Sequence, residues 1–597
     1  MRAPNKKKHS IFPKIAIHSF SARLVVAGLL FFVCIDAVSG KFFAVQIHNY
    51  EYWKQKAFAQ QSQISNVEPE RGDIFVRDKD GGLHAVAVNK RFFDIGVDPR
   101  KTKADPSQDA HDLASLLSLA YPDVFGKMKR SADPYEPLAK HVDESLARAV
   151  QERDIDGVVM QEQDARYYPL GNFASQVVGF VGYDQSGSLA GRYGIELGMD
   201  DTLRGSGPSA DDLQKLMDQG SFLAAKNLYV QNGANVVLTI DPNIQSEVEK
   251  DLADEVKQWK AKSGNAIVMD PRTGAIRAMA NYPSFDPNQY AKTKDMSVFL
   301  NSCVSLRYEP GSIFKPLTMA AGLTSGKITP DSQYYDDGAK KIGNVTIHNA
   351  GNSAPHKLIS MALFLERSYN LGAVFIEQTV GNQFFHDFLL KTLKLEDKTN
   401  IDLPQEIQSS FANLRSKNAN DVNYAESAFG QGIAMTPIKL IQMIGSLANN
   451  GVVMQPYVID TVQYPDGTQK ATAPHIVGQE ISQDVVRQEV PLLEGVVEAE
   501  RGSAHLARVP GYRIAGKTGT ADIASSDGSG YSGEVNHSFV GFGPISDPKF
   551  VVLTRIEQPQ GIRYAEATAV PLGGKIMKYI VEYYGIPPDA PSPSSTP

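Results

Sequence analysis

The first strong feature in the pattern of apolar and polar positions is the run Leu24 to Ile47, "LVVAGLLFFVCIDAVSGKFFAVQI". Its length meets the ~20 residues that a helix needs to cross a bilayer, which predicts a transmembrane helix. The next stretch, "HNYEYWKQKAFAQQSQ", predicts a helix continuing from it. "VEPERGDIFVRDKDGGLHAVAVNKRFFDIGVDP" then alternates apolar and polar residues around a Gly-Gly turn and predicts two strands. From Lys101 to Gln163 the recurrences Leu113, Leu116, Leu117 and Leu119 predict helices. Between Tyr167 and Gly207, Gly, Tyr and Pro concentrate, which predicts a long irregular segment.

Near Asn235 the texture changes. "ANVVLTIDPNIQSEVEKDLADEVKQW" passes from a short β-branched strand into an amphipathic helix, and "NAIVMDPRTGAIRAMA" predicts two strands joined by a turn at Pro271 to Gly274. A domain boundary is placed there. After Ser302 helical patterns dominate until "YRIAGKTGTA", where strand character returns through "HSFVGFGPISDPKFVVLTRI" before "PLGGKIMKYIVEYYG" closes as a helix. Strands distant in the chain, with helices between them, predict one sheet built from both ends of the domain. The tail "PPDAPSPSSTP" lacks residues to pack and is expected to be disordered.

Composition narrows the function classes. At 597 residues, 42% apolar and 21% charged, the chain is globular and longer than one ordinary domain. A net charge of −7 gives no reason to expect nucleic acid as a partner. Cys34 lies in the apolar run, so a disulfide to Cys303 is not expected. The twelve histidines show no His-x-x-x-His spacing, and there is no Cys-x-x-Cys, so no metal centre is expected. Residues 1 to 23 hold Arg2, Lys6, Lys7, Lys8, Lys14 and Arg23 and no acid, which keeps that flank cytoplasmic and places the remainder outside. Two readings of the run stand. It is an uncleaved anchor, favoured because hydrophobicity resumes at "FFAVQI", or a signal peptide removed after "AVSG".

The candidate chemistry begins at "YEPGSIFKPL", where Ser312 and Lys315 stand three apart and would share a helix face. An unprotonated amine beside a hydroxyl makes a base and a nucleophile. The spacing alone is cheap, since Ser546-Asp-Pro-Lys549 repeats it in a turn-like setting. "ERSYNLG" adds Ser368 and Asn370, a pattern that Ser263 with Asn265 and Ser416 with Asn418 also satisfy. "AGKTGTAD" adds Lys517, Thr518, Gly519 and Thr520, and Lys-Thr-Gly occurs once. Read as bland features, Ser368 and Asn370 would cap a turn, Lys517 would be a solvated strand-end charge, and Gly519 a bulge.

Taken in order, Ser-x-x-Lys, Ser-x-Asn and Lys-Thr-Gly form the trio of penicillin-binding proteins and class A β-lactamases, which have Ser-Asp-Asn in the middle where this chain has Tyr369. With "RGDIF", "RYYPLGNFASQVVGFVG", "LTIDPNIQ" and "FGQGIAMTPIKLIQMIGSLANNG", the chain resembles a class B penicillin-binding protein, a monofunctional peptidoglycan D,D-transpeptidase, over about residues 24 to 586.

The resemblance implies an α/β and α+β multidomain fold. Residues 1–23 would be cytoplasmic, 24–47 a signal anchor, 48–235 an elongated β-containing pedestal, 236–586 a serine β-lactamase-like transpeptidase domain with an antiparallel sheet flanked by helices, and 587–597 a tail. It implies Ser312 as nucleophile, Lys315 as base, Ser368 as proton relay and Asn370 as a hold on the substrate backbone. Lys517 would supply positive charge, Gly519 a bare strand edge, and Thr518 and Thr520 hydroxyls for a terminal carboxylate. The backbone N–H groups of Ser312 and Thr520 would form the oxyanion hole. No cofactor is implied.

Implied partners are peptidoglycan stem peptides, β-lactams, the bacterial plasma membrane, and a polytopic glycosyltransferase with other divisome or elongasome proteins. A division role is favoured over elongation. A hydrolase, either D,D-carboxypeptidase or β-lactamase, and a penicillin-binding scaffold or sensor remain alternatives. "AVPLGGKIM" departs from the family pattern in lacking a phenylalanine, and Cys303 is read as a small buried residue.

Overall fold

The structure is a computed structural model that describes residues 20–43, 69–130, 133–184, 189–206, 231–525 and 530–590. The chain divides into two units, Met1–Glu68 with Ser209–Val230, and Pro69–Pro208 with Gln231–Pro597. Of the first unit the described part is one helix, Phe20–Phe43. Its segment Leu24–Phe43 has a mean hydropathy of 2.0, is exposed throughout, and is long and apolar enough to cross a membrane. Residues 44–47 of the expected span and the helix expected at 48–63 lie outside the described residues.

In the second unit, strand Ile74–Arg77 turns back into the fifteen-residue strand Leu83–Val97, as the Gly-Gly pattern predicts. The second half of that long strand pairs with Glu136–Asp143 on one side and Val158–Tyr167 on the other. Those two strands fall where helices were expected. Three of the expected helices do form, Ser107–Leu116, where the leucine recurrences fall and Leu113 is buried, Tyr121–Met128 and Glu144–Gln151, while the alternation of the two strands is masked by exposed polar positions.

The segment expected to be irregular folds as short pieces, including Ser175–Val178, Gly194–Gly198 and Asp200–Arg204. They carry Glu196, fully buried, which accepts Arg166 Nε at 2.6 Å and Arg71 Nε at 2.8 Å. Arg71 also reaches Asp200 at 2.8 Å. Arg71 is therefore locked into a buried ion network.

The expected boundary falls at a strand, Asn235–Leu238, that runs parallel to Ile74–Arg77 and antiparallel to Ile459–Gln463. One seven-stranded sheet thus takes strands from both sides of that position. Helix Pro242–Gln258 starts where Asp241 accepts from the N–H groups of Asn243 and Ile244 and a proline occupies the first position. Its buried Ile244, Val248, Leu252 and Val256 recur every fourth residue and form one apolar stripe.

The second sheet is antiparallel throughout, in the order Ala515–Ala524, Tyr531–Gly543, Phe550–Glu557, Ser263–Met269, Ile276–Tyr282. Its central strands are buried at successive positions, which requires cover on both faces. Helices Pro242–Gln258 and Ala569–Tyr584 pack against this sheet and each other, while Lys315–Thr324, Pro437–Ala448 and Gln483–Glu498 complete the cover.

Several small hairpins interrupt the helical stretch after Ser302, among them Gln333–Asp336 with Lys357–Ser360 and Ala339–Ile342 with Val345–His348. Their four-residue strands are too short for a periodic signal. The last described residues are not free of contacts: Asp589 accepts from Arg513 N at 2.7 Å and Ser546 Oγ at 2.9 Å, and Ala590 N donates to Gly511 O. The expected disorder from residue 587 is thus corrected for 587–590, because Asp589 supplies two hydrogen bonds that anchor the proline-rich turn.

Candidate active site

The edge strand of the antiparallel sheet, Ala515–Ala524, borders a cleft of about 410 Å³ that is lined by Ser312, Ser368, Asn370, Ser503, Thr518 and Thr520 among others. Four separate segments supply these side chains, and glycines permit the approach of the Ser312 turn to the strand. Gly311 has φ +57°, donates its N–H to Gly430 O at 3.0 Å, and would place a Cβ 2.9 Å from Thr520 O. Such a backbone, and such proximity, suit glycine. Ser312 follows in a 3-10 turn, Gly311–Phe314, that runs directly into helix Lys315–Thr324.

Gly519 serves the same approach. A Cβ there would meet Ser538 Oγ at 2.5 Å, Ile313 Cγ2 at 2.8 Å and Pro310 O at 3.0 Å. Its bare side therefore faces the Ser312 turn, while Thr518 and Thr520 face the cleft. This changes the reason expected for the glycine: it lets the Ser312 turn seat against the strand.

Lys315 is fully buried, and its Nζ donates to Ser368 O at 2.6 Å, Asn370 Oδ1 at 3.0 Å and Ser368 Oγ at 3.3 Å. Among the described residues the Ser312 hydroxyl has no side-chain hydrogen bond, so Lys315 holds the Ser368–Asn370 turn rather than Ser312. That turn has a local origin. Ser368 ends helix Met361–Arg367 in the left-handed region, φ +58°, with its N–H on Leu365 O, and Asn370 opens the next helix. Ser368 thus does cap a helix, at its C-terminal end, and the same reversal points its carbonyl and hydroxyl at Lys315. Asn370 Nδ2 is committed to His348 O at 2.9 Å.

Lys517, also fully buried, donates to Ser368 Oγ at 2.8 Å and approaches Thr518 Oγ1 at 3.3 Å. One hydroxyl therefore touches both amines. Burial, and secondarily the positive charge of Lys517, hold the Lys315 amine well below the usual lysine range. Burial lowers Lys517 to about 7, opposed by the negative charge of Glu566. A neutral amine is what a general base near neutral pH requires.

The remaining sequence matches separate from the site. Lys549 pairs with Asp547, and Ser546 is held by Asp589, so the second Ser-x-x-Lys is a surface turn. Cys303 is buried, and burial pushes its thiol far up, away from nucleophilic use. Residues that the sequence reading missed also line the cleft: Ser503, Arg367, Tyr564, Glu566 and the pair Arg563–Asp522, 2.7 Å apart. Arg367 ends helix Met361–Arg367 and Asp522 lies on the edge strand, each beside a motif, while Ser503, Arg563, Tyr564 and Glu566 lie outside the three motifs and only the fold brings them to the cleft.

Comparison with known proteins identifies the family. The model of the penicillin binding protein transpeptidase domain matches residues 264–578, and that of the penicillin-binding protein dimerisation domain matches 66–262. Stage V sporulation protein D of Bacillus subtilis is 30% identical, with 95% of this chain and 86% of that protein covered. A peptidoglycan D,D-transpeptidase FtsI homolog of Mesostigma viride is 29% identical, with 98% of each chain covered. Among solved structures, penicillin binding protein 3 of Mycobacterium tuberculosis in its apo form aligns with a TM-score of 0.63 and 27% identity, covering 72% of this chain and 93% of that one. Penicillin binding protein 2X of Streptococcus thermophilus has the same fold, with a TM-score of 0.71 at 20% identity and coverage of 86% and 80%. With both domain models matched in tandem, this chain belongs to the penicillin-binding protein transpeptidase family.

Proposed function

We propose that Ser312 is the acyl-transfer nucleophile of a cell-wall D,D-transpeptidase that acts in peptidoglycan cross-linking during division. What carries this reading is that Ser312 and Ser368 line one cleft, with the Ser368 hydroxyl oxygen 2.8 Å from the buried Lys517 amine and 3.3 Å from the buried Lys315 amine behind it. The relatives' names point to the same chemistry.

In the acylation step Lys315 takes the Ser312 proton as Oγ bonds to the carbonyl carbon of the penultimate D-alanine of a donor stem peptide. The tetrahedral oxyanion is held by the backbone N–H groups of Ser312 and Thr520. The peptide C–N bond then breaks, and terminal D-alanine leaves with a proton passed from Lys315 through Ser368. An amine of a neighbouring stem attacks the ester carbonyl carbon and forms the new peptide C–N bond; the Ser312 Oγ–C bond breaks, and the amine's proton passes through Lys315 to Ser312 Oγ. Asn370 positions Lys315, and Lys517 and the Thr520 hydroxyl draw the donor's anionic end. A β-lactam would acylate Ser312 in the donor's place.

Ahead of this unit, Leu24–Phe43 would anchor the protein in a bacterial plasma membrane with the cleft outside. A polytopic glycosyltransferase would supply the glycan strands. The test uses the full chain in detergent: Ser312→Ala should lose covalent labelling by a fluorescent penicillin while its thermal unfolding is retained. Persistent labelling would remove Ser312 from the mechanism. Offered a D-Ala-D-Ala stem and an acceptor amine, wild type should form the cross-linked product; hydrolysed stem alone would favour the carboxypeptidase reading.

A further inference from the structure

A second groove shares no lining residue with the Ser312 cleft. It holds about 470 Å³ and opens beside the hairpin formed by strands Ile459–Gln463 and Gln469–Ala471. Pairing places its amides in a row: Gln469 stands opposite Gln463, Gln463 stands opposite Asn235, and Asn235 Oδ1 accepts from the N–H of Asp73 at 2.8 Å. Directly opposed residues share a sheet face, so one amide comes from each of three adjacent strands, about 4.8 Å apart.

These groups are free to bind. Among the described residues neither glutamine side chain nor the Tyr464 hydroxyl has a hydrogen bond, and Asn235 Nδ2 has none either. The lining disfavours other ligand classes. Its one arginine, Arg71, is committed to Glu196 and Asp200 at 2.8 Å, which leaves no free cation for a phosphate or a carboxylate. Pro465 is the one wholly apolar side chain among the lining residues, so a lipid would have little to rest on. What fits is a neutral ligand rich in hydroxyl and acetamido groups, since side-chain amides both donate and accept. Tyr464, 40% exposed, adds a ring with an apolar face and a polar tip, suited to the C–H face of a sugar. The strand spacing is close to the advance of one sugar along a β-1,4-linked chain, so successive amides would meet successive sugars.

We infer that this groove binds the glycan strand of peptidoglycan, laid across the three strands. Naming peptidoglycan as the source rests on the cell-wall function, whereas the sugar contacts are independent of acylation at Ser312. Asn235 lies in the matched dimerisation domain and both glutamines in the matched transpeptidase domain, so a bound glycan would touch both.

The test titrates full-length protein, in a detergent without a sugar headgroup, with chitotetraose, followed by isothermal calorimetry. Wild type should bind saturably at millimolar concentrations or below, and more tightly than it binds cellotetraose, which lacks the acetamido groups. Gln463→Ala and Gln469→Ala should each raise Kd about fivefold, the effect of one neutral hydrogen bond, with thermal unfolding and penicillin labelling at Ser312 unchanged. Should either variant not fold, Tyr464→Leu, which removes the ring, should raise Kd by a similar factor. No saturable binding, equal affinity for cellotetraose, or a Kd within about twofold of wild type in the variants overturns the inference. Prior acylation by benzylpenicillin should leave Kd unchanged, and competition between the two would place the sugar in the cleft and overturn it as well. Absence of penicillin labelling in wild type is a different result, which removes the acyl-transfer reading and leaves the sugar measurement standing.

Discussion

Replacing Ser368 by alanine isolates the proton relay from the structure around it. The residue stands at φ +58°, and alanine and serine both carry a Cβ, so the left-handed strain is the same before and after. Lys315 keeps two of its three acceptors, the Ser368 carbonyl at 2.6 Å and Asn370 Oδ1 at 3.0 Å, and so stays in place. What is lost is the one oxygen in contact with both amines, at 2.8 and 3.3 Å. General acid–base transfer by a positioned group contributes about 10²–10⁴-fold, or about 2.7–5.4 kcal/mol of barrier. The second-order rate constant for penicillin acylation, followed by intact mass on the full chain, should therefore fall at least about a hundredfold. Thermal unfolding should show the fold retained. A fall of less than about fivefold would mean that the leaving nitrogen gets its proton without Ser368, and the relay would be wrong.

Gly519→Ala should weaken both fold and function, since its Cβ would press on Pro310 O, Ile313 and Ser538. Urea unfolding should show a loss of about 1–3 kcal/mol, with slower acylation as the Ser312 turn is displaced. Glu249, raised to about 7 by burial, accepts from Ala174 N at 2.7 Å and Gln245 at 2.8 Å. Between the ordinary glutamate value of 4.5 and about 7 the folded chain holds a proton that the unfolded chain has released, so stability falls as pH rises through that window. Burial also lifts Glu309 and Glu377 to about 7, with the same sign. Glu249→Gln should therefore reduce the slope of melting temperature against pH without abolishing it; an unaltered slope would show that Glu249 does not titrate there.

Elements whose signal is local were legible in the sequence. Asp241 and Pro242 announce a helix, and Ile244, Val248, Leu252 and Val256 give its buried face. The strands Ser263–Met269 and Ile276–Tyr282 follow the expected turn, and the closing helix Ala569–Tyr584 follows its apolar pattern. Strands such as Glu136–Asp143 were hidden because half of their positions point to solvent and their pairing comes from a partner about forty residues away in sequence. The four-residue hairpin strands carry too few positions for a period to register.

For the site, the sequence by itself marked the groups to which the proposal assigns chemistry: a serine, two lysines, a Ser-x-Asn turn and a glycine-bearing strand, each in a short motif. Tertiary structure alone decided how they meet. The amines share Ser368 because a left-handed reversal at a helix end faces the first turn of another helix, and both lose solvent there. Gly519 proved to make room for the Ser312 turn, and Ser503, with no motif around it, is held at the cleft by contacts with Glu366 and Thr518, both distant in the chain. Bond direction, burial and close approach are properties of neighbours in space, and a linear pattern records only neighbours in the chain.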